Sequence, residues 1–183
     1  VISACRGWYN FIYYGHNKNL VHVLDGGLQK WLKEKRLITT TKLPKIKISN
    51  YIAKENKSLV KNKIQIDRNI NNKKFIVIDA RSRERFYGKV PEPRKGLKSG
   101  SIPNSFCIPF GELINQDRSF KKKDELKKIF SKTLGENYSS NLVFSCGSGV
   151  TASVLALAYS LINNKYMPTI YDGSWAEFGK FKL

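Results

Sequence analysis

Residues 142–162, LVFSCGSGVTASVLALAYSLI, constrain the fold more than any other stretch of the chain. Leu142, Val143 and Phe144 make a short apolar run, and a run without alternation marks a strand covered on both faces. Cys146 follows at the end of the strand, then the small residues Gly147, Ser148 and Gly149. Behind them lies an Ala/Leu-rich stretch with no Gly or Pro, which predicts a helix beginning near Thr151. A buried strand that turns into a helix through a tight loop predicts an α/β domain.

At 183 residues the chain has room for one or two domains, and its 41% hydrophobic content supplies one real core. No run of about 18 apolar residues occurs, so neither a spanning helix nor a membrane partner is expected. The start, VISACRGWYNF, has no Met and no basic stretch leading into an apolar one. It reads as a fragment without a signal peptide. Cys5, Cys107 and Cys146 are an odd and small number of cysteines. They predict reduced thiols and a cytoplasmic location, with the mitochondrion as the other reducing compartment.

The formal charge is +19, from 33 Lys and Arg against 14 Asp and Glu. Lysines crowd 42–74 and the stretch FKKKDELKKIFSK at 120–132. Such patches can bind phosphates. In 120–132, however, Phe120, Leu126, Ile129 and Phe130 fall near helical spacing with lysines on the other face. No aromatic-plus-basic module accompanies them, so a solvated lysine face is expected and nucleic acid is disfavoured as a partner.

A repeat organises the chain. Near the front, 5–16 reads as a helix, LVHVLDG (20–26) as a strand ending in Asp-Gly, and 27–36 as a second helix. Near the back, 151–163 reads as a helix, PTIYDG (168–173) as a strand ending in Asp-Gly, and SWAEFG (174–179) as a short helix. Asp25-Gly26 thereby matches Asp172-Gly173, and Trp31 falls where Phe178 does. The front copy, one strand and two helices, cannot complete a parallel sheet covered on both faces. Residues 1–36 are therefore expected to be the remnant of a first domain, loosely ordered or docked on another surface. Residues 37–73 read as an interdomain connection, and KFIVIDAR (74–81) opens a full domain spanning 74–183.

The loop after Cys146 carries the chemistry. A cysteine is a nucleophile as its thiolate, which converging backbone N–H groups and a helix N-terminus stabilise. A backbone that curls around an anion needs small residues, and CGSGVT supplies two glycines and two hydroxyls. Nothing structural demands Gly-Ser-Gly after a buried cysteine, so Cys146 is the candidate nucleophile. Cys107, between Phe106 and Ile108, reads as a structural cysteine. Cysteine phosphatases place an Arg six residues after the nucleophile. Here that position is Ala152 and the loop holds no Arg, which disfavours phosphate-ester chemistry.

CGSGVTA, together with DARSRERFYGKVPEPRKG, GSIPNSFCIPF and YDGSWAEF, resembles the catalytic domain of the 3-mercaptopyruvate sulfurtransferases, in the rhodanese superfamily. The resemblance spans 74–179, and 1–36 resemble the end of the family's non-catalytic first domain. It implies a rhodanese-like fold: a parallel five-stranded sheet with helices on both faces, here one complete domain preceded by a partial one. It also implies sulfane-sulfur transfer through a Cys146 persulfide. The donor would be 3-mercaptopyruvate, and the acceptor a thiol, such as a thioredoxin-like protein or glutathione, or cyanide. No cofactor and no metal are implied.

Gly147 and Ser148 are neutral, as in mercaptopyruvate-type relatives; thiosulfate-preferring ones resemble this loop but carry basic residues there. The substrate carboxylate then needs cations from outside the loop, and bidentate Arg suits it. By resemblance Arg85 and Arg94 take that place, with Pro91 and Pro93 stiffening the approach to Arg94. Gly147, Gly149, Val150 and Thr151 are expected to cradle the sulfur, and Ser148 to assist protonation of the leaving enolate. Arg81 and Arg83 are expected to be surface charges, Asp79 to make structural hydrogen bonds, Trp175 to be core, and Asp172 and Ser174 to cap the last helix. In the family Ser148 works with an Asp and a His from the first domain; neither His16 nor His22 matches that His, and Cys5 aligns with Ala152 rather than Cys146. Two alternatives remain open: a thiosulfate sulfurtransferase, and a non-catalytic sulfur carrier or binding module.

Overall fold

The protein is described by a computed structural model covering residues 1–42, 45–138 and 141–181. Residues 43–44 of the expected connection, and 139–140 and 182–183 of the expected catalytic domain, lie outside these.

Five parallel strands form one sheet in the order β1-β5-β4-β2-β3. β2 (Ile76–Asp79) and β4 (Leu142–Ser145) are its centre, in register from Ile76 opposite Leu142 to Asp79 opposite Ser145. The edge strands β1 (Val60–Lys61) and β3 (Phe106–Cys107), and β5 (Ile170–Tyr171) between β1 and β4, are only two residues long each. The expected strand over 168–173 is thus real but short.

Alternation along the central strands divides the core into two. Ile78, Leu142, Phe144 and Ile170 face a layer that includes α1 (Ile2–Tyr13), α5 (Lys123–Leu134) and α6 (Ala152–Ile162). Val77, Val143 and Tyr171 face α3 (Lys63–Asn72) and α7 (Ser174–Phe178), through Ile66 and Trp175. Both faces are covered, which is why β4 carries no polar face and all four of its residues are buried. Along α5 the buried positions are Leu126 and Phe130, and the lysines point outward as expected.

The expected connection, 37–73, supplies part of this sheet. β1 and α3 both lie inside it, and Leu59 and Ile66 are fully buried. The Asn62 side chain accepts the Gln65 N–H at 2.9 Å and the Gln65 side chain accepts the Asn62 N–H at 3.0 Å. This reciprocal cap starts a helix in a sequence too polar to announce one.

The front segment also differs from its reading. Its first helix runs over 2–13 rather than 5–16, and α2 (Gly27–Lys33) is shorter than 27–36. Residues 20–26 form no strand: a single 3₁₀ turn at Lys18–Leu20 is followed by 21–24 without regular structure and a turn at 25–26, outside the sheet. An extended run becomes a strand only beside another edge. Among the described residues none lies next to it.

The segment is nonetheless docked. Cys5, Trp8, Tyr9 and Ile12 are buried on α1, whose face packs on α6. The Tyr9 hydroxyl donates to the Leu59 carbonyl at 2.9 Å. Asp25 accepts the Phe120 N–H at 2.8 Å, and Lys30 pairs with Asp117.

Candidate active site

The loop from β4 to α6 sits at the C-terminal edge of the sheet, where α/β folds hold their ligands. Cys146 is buried, 1% exposed. The Ser148 N–H donates to its sulfur at 3.4 Å, the single backbone N–H that hydrogen-bonds it among the described residues. The wider cradle of N–H groups expected over 147–151 is therefore represented by one donor. Gly149 takes φ +78°, and a Cβ there would lie 2.6 Å from the Asp172 carboxylate, so only glycine fits.

A cavity of about 300 Å³ opens onto Cys146. Arg85, Glu92, Pro93, Arg94, Gly147, Ser148, Val150 and Thr151 complete its lining. Sequence-predicted Gly149 is buried behind the loop instead. A larger cavity of about 670 Å³ lies between the front segment and α6, and shares no lining residue with the first.

Arg85 stands in α4 (Arg83–Phe86), a single turn capped by the Ser82 hydroxyl at a long 3.5 Å. Its guanidinium grips both oxygens of Glu92, at 2.5 and 3.2 Å. Arg94 is exposed and donates to the Gly147 carbonyl at 3.3 Å. The two arginines thus flank the cysteine, one tethered by a carboxylate and one by the loop itself.

Arg81 corrects the sequence reading. It is buried, forked onto Asp79 at 2.7–3.1 Å, bonded to Glu92 at 2.7 Å, and stacked over Trp175 with its guanidinium 4.6 Å from the ring centre. Burial opposes its charge, but the hydrogen bond and charge of Asp79, then those of Glu92, outweigh it and raise its pKa. Burial likewise opposes the Glu92 carboxylate. The hydrogen bond from Arg85, then the charge of Arg81, hold Glu92 below the usual carboxylate range. Arg83 is a half-exposed surface charge paired with Glu112 at 2.8 Å.

Cys107 is buried as read, its thiol donating to the Arg81 carbonyl at 3.6 Å, and burial pushes its pKa up to about 12. Cys5 is pushed up to about 12 by the same cause. Neither is a nucleophile at neutral pH.

Ser174 also corrects the reading. Its hydroxyl caps no helix: it accepts the N–H groups of Cys146 (3.1 Å) and Gly149 (3.0 Å) and donates to the Tyr171 carbonyl at 2.8 Å. Its φ of +50° bends the chain so that Trp175 and Ala176 donate their N–H groups to the carbonyls of Cys146 and Gly147, each at 2.9 Å. Asp172 caps nothing either, and pairs with Arg6 of α1 at 2.5 Å. The contacts that Glu92, Ser174 and Arg6 make with the loop and its arginines were not anticipated from the sequence. Glu92 alone left a signal, a carboxylate between two prolines in a strongly basic chain.

The Rhodanese-like domain family matches residues 63–180. The chain belongs to the rhodanese family. Over 176 residues, 96% of the chain, it is 37% identical to a 3-mercaptopyruvate sulfurtransferase of Rattus norvegicus and 36% identical to that of Homo sapiens. A thiosulfate sulfurtransferase of Bos taurus is 36% identical over 177 residues. The chain spans 58% of the length of each. The solved structure of the Tum1 protein from Saccharomyces cerevisiae has the same fold, with a TM-score of 0.81 at 24% identity over 97% of this chain and 62% of that one. The expected five-stranded parallel rhodanese fold is the fold observed.

Proposed function

We propose that the chain is the sulfur-transferring part of a 3-mercaptopyruvate sulfurtransferase. The observation that carries this reading is the cavity in which Cys146 faces two guanidiniums across a loop of small residues. Arg85 and Arg94 hold the substrate carboxylate. The Cys146 thiolate attacks the substrate sulfur, the carbon–sulfur bond breaks, and its electron pair leaves on the pyruvate enolate. Ser148 hands a proton toward the enolate carbon. Gly147, Val150 and Thr151 wall the persulfide, and Gly149 lets the backbone turn behind it. A thiol acceptor in a reducing compartment then attacks the outer sulfur, and Cys146 leaves as thiolate.

Intact mass spectrometry after incubation with mercaptopyruvate tests this. One added sulfur is expected on the native chain and on Cys107→Ser, and none on Cys146→Ser. Uptake by Cys146→Ser overturns the nucleophile. No uptake by the native chain favours a carrier or binding module.

Thiosulfate is the second donor to measure, because relatives named for it match over the same span. Ser148→Lys is the cleaner probe of preference, since a Cβ at Gly147 would lie 3.2 Å from Arg85 Nη2 and disturb that arginine. The variant should raise thiosulfate turnover above that of the native chain, a gain that loss of the Ser148 hydroxyl cannot supply. Thiosulfate turnover that does not rise removes loop charge as the selector.

A further inference from the structure

We propose that Arg6, on the front helix α1, is a positioning residue for the cysteine loop. The inference rests on the sulfurtransferase reading for its kinetic arm and on geometry for the rest. Cys146 is held from two sides. Arg85, Glu92 and Arg94 line the cavity in front of the loop. Behind the loop stands Arg6 of the front segment, whose Nη1 reaches Asp172 Oδ1 at 2.5 Å and the Gly149 carbonyl at 3.4 Å. Tyr9, one turn along the same helix, supports the guanidinium from below, its ring centre 5.5 Å away.

Gly149 is the hinge point of this arrangement. Its φ is +78°, its N–H is taken by Ser174, and Asp172 and Arg6 both stand within 3.1 Å of where its Cβ would be. The backbone there has no freedom to shift without moving one of those three groups. One residue back, the Ser148 N–H is the donor to the Cys146 sulfur. Arg6 thus fixes the loop that aims the only observed N–H at the nucleophile, without touching it.

The pair is partly exposed, the Arg6 side chain 27% and the Asp172 side chain 49%. Exposed pairs contribute little to global stability. Small displacements of a reacting group are costly in rate. Arg6→Gln should therefore leave the melting temperature near that of the native chain while lowering kcat for sulfur loading roughly 10- to 100-fold. KM should hold, because Arg85 and Arg94 are untouched. Hydrogen exchange over 146–151 should quicken while 152–162 stays slow.

Asp172→Asn should reproduce this phenotype, and the double variant should be no worse than either single one. Arg6→Lys should recover part of the rate. Unchanged exchange over 146–151 in Arg6→Gln overturns the proposal, as does a rise in KM equal to the fall in kcat, or additive losses in the double variant. A native chain that takes up no sulfur defeats the sulfurtransferase reading instead, and the exchange measurement still decides whether Arg6 holds the loop.

Discussion

The pattern of helix, extended run, Asp-Gly and helix occurs twice in this chain and ends in two different structures. In the back copy Ile170 pairs with β4 on one side, Ile170–Tyr171 pairs with β1 on the other, and Trp175 is 4% exposed under the Arg81 guanidinium. In the front copy 20–26 joins no strand of the sheet, and Leu28, which occupies Trp175's place in the repeat, is 63% exposed. Where the back copy has Ser174, with φ +50°, the front has Gly27, with φ +60°. The backbone bend is the same, but the hydroxyl that ties the cysteine loop is absent. Local sequence sets the bend and the helices; neighbours decide whether the run between them becomes a strand.

The comparison has one exception, α1, which belongs to the front copy and to the core of the back one. The largest expected effect follows from it. Tyr9→Ala empties a buried site on α6 and strips the Leu59 carbonyl of its donor, so it should cost about 3–5 kcal/mol. Denaturant unfolding measures this, and a loss under about 1 kcal/mol would return α1 to the loosely attached front segment.

Next comes the Arg81 network stacked over Trp175. Glu92→Gln removes a charge shared by Arg81 and Arg85, leaving the buried Arg81 guanidinium short of a partner. Breaking such a pair costs about 3 kcal/mol. The pH response has a definite sign. The folded Glu92 carboxyl is lowered from its ordinary 4.5, so its contribution is complete above that value and fades as pH falls through the lowered one. Native protein should therefore lose stability on acidification, and Glu92→Gln should lose less over the same range. Parallel pH curves for the two proteins would show that Glu92 is not the group responsible.

How much of this was legible in the sequence depended on the range of the interaction. β2, β4, α6 and Cys146 were readable because each is written in consecutive residues. Arg85 and Arg94 came from the family resemblance, and they do flank Cys146. β1 was not readable: two paired residues and an isolated Leu59 and Ile66 sit among lysines and asparagines, too sparse to show a period. Arg81, Ser174 and Arg6 were misjudged or missed for another reason. Ser174 and Arg6 have partners 28 and 166 residues away, about which local pattern carries no information; Arg81 has Asp79 only two residues away, but its burial comes from Glu92, 11 residues on, and from the distant Trp175.

Ser174→Ala sharpens the contrast at the bend itself, by giving the back copy the hydroxyl-free chemistry of the front. It leaves the buried N–H groups of Cys146 and Gly149 and the Tyr171 carbonyl without their shared partner. A cost of about 1–3 kcal/mol is expected, with a fall in Cys146 sulfur loading. A variant as stable and as active as the native chain would mean that the bend alone organises the loop.

The smallest effect is expected where the front copy lacks neighbours. Leu24 and Leu28 are 53% and 63% exposed, and α2 buries none of its residues. Leu28→Ser should change stability by less than about 0.5 kcal/mol, since a half-exposed side chain with no packed partner has little burial to lose. Hydrogen exchange should agree: fast over 20–26, which joins no ladder, and slow over 2–13, 142–146 and 152–162. The anchors at Asp25 and Lys30 tether 20–33 to the loop before α5, with Val21 and Val23 partly buried against the core and Leu24 and Leu28 left outside it. Strong protection over 20–26, or a loss above about 1 kcal/mol in Leu28→Ser, would show that the run has found a partner edge in solution. The two copies would then differ only in what covers them.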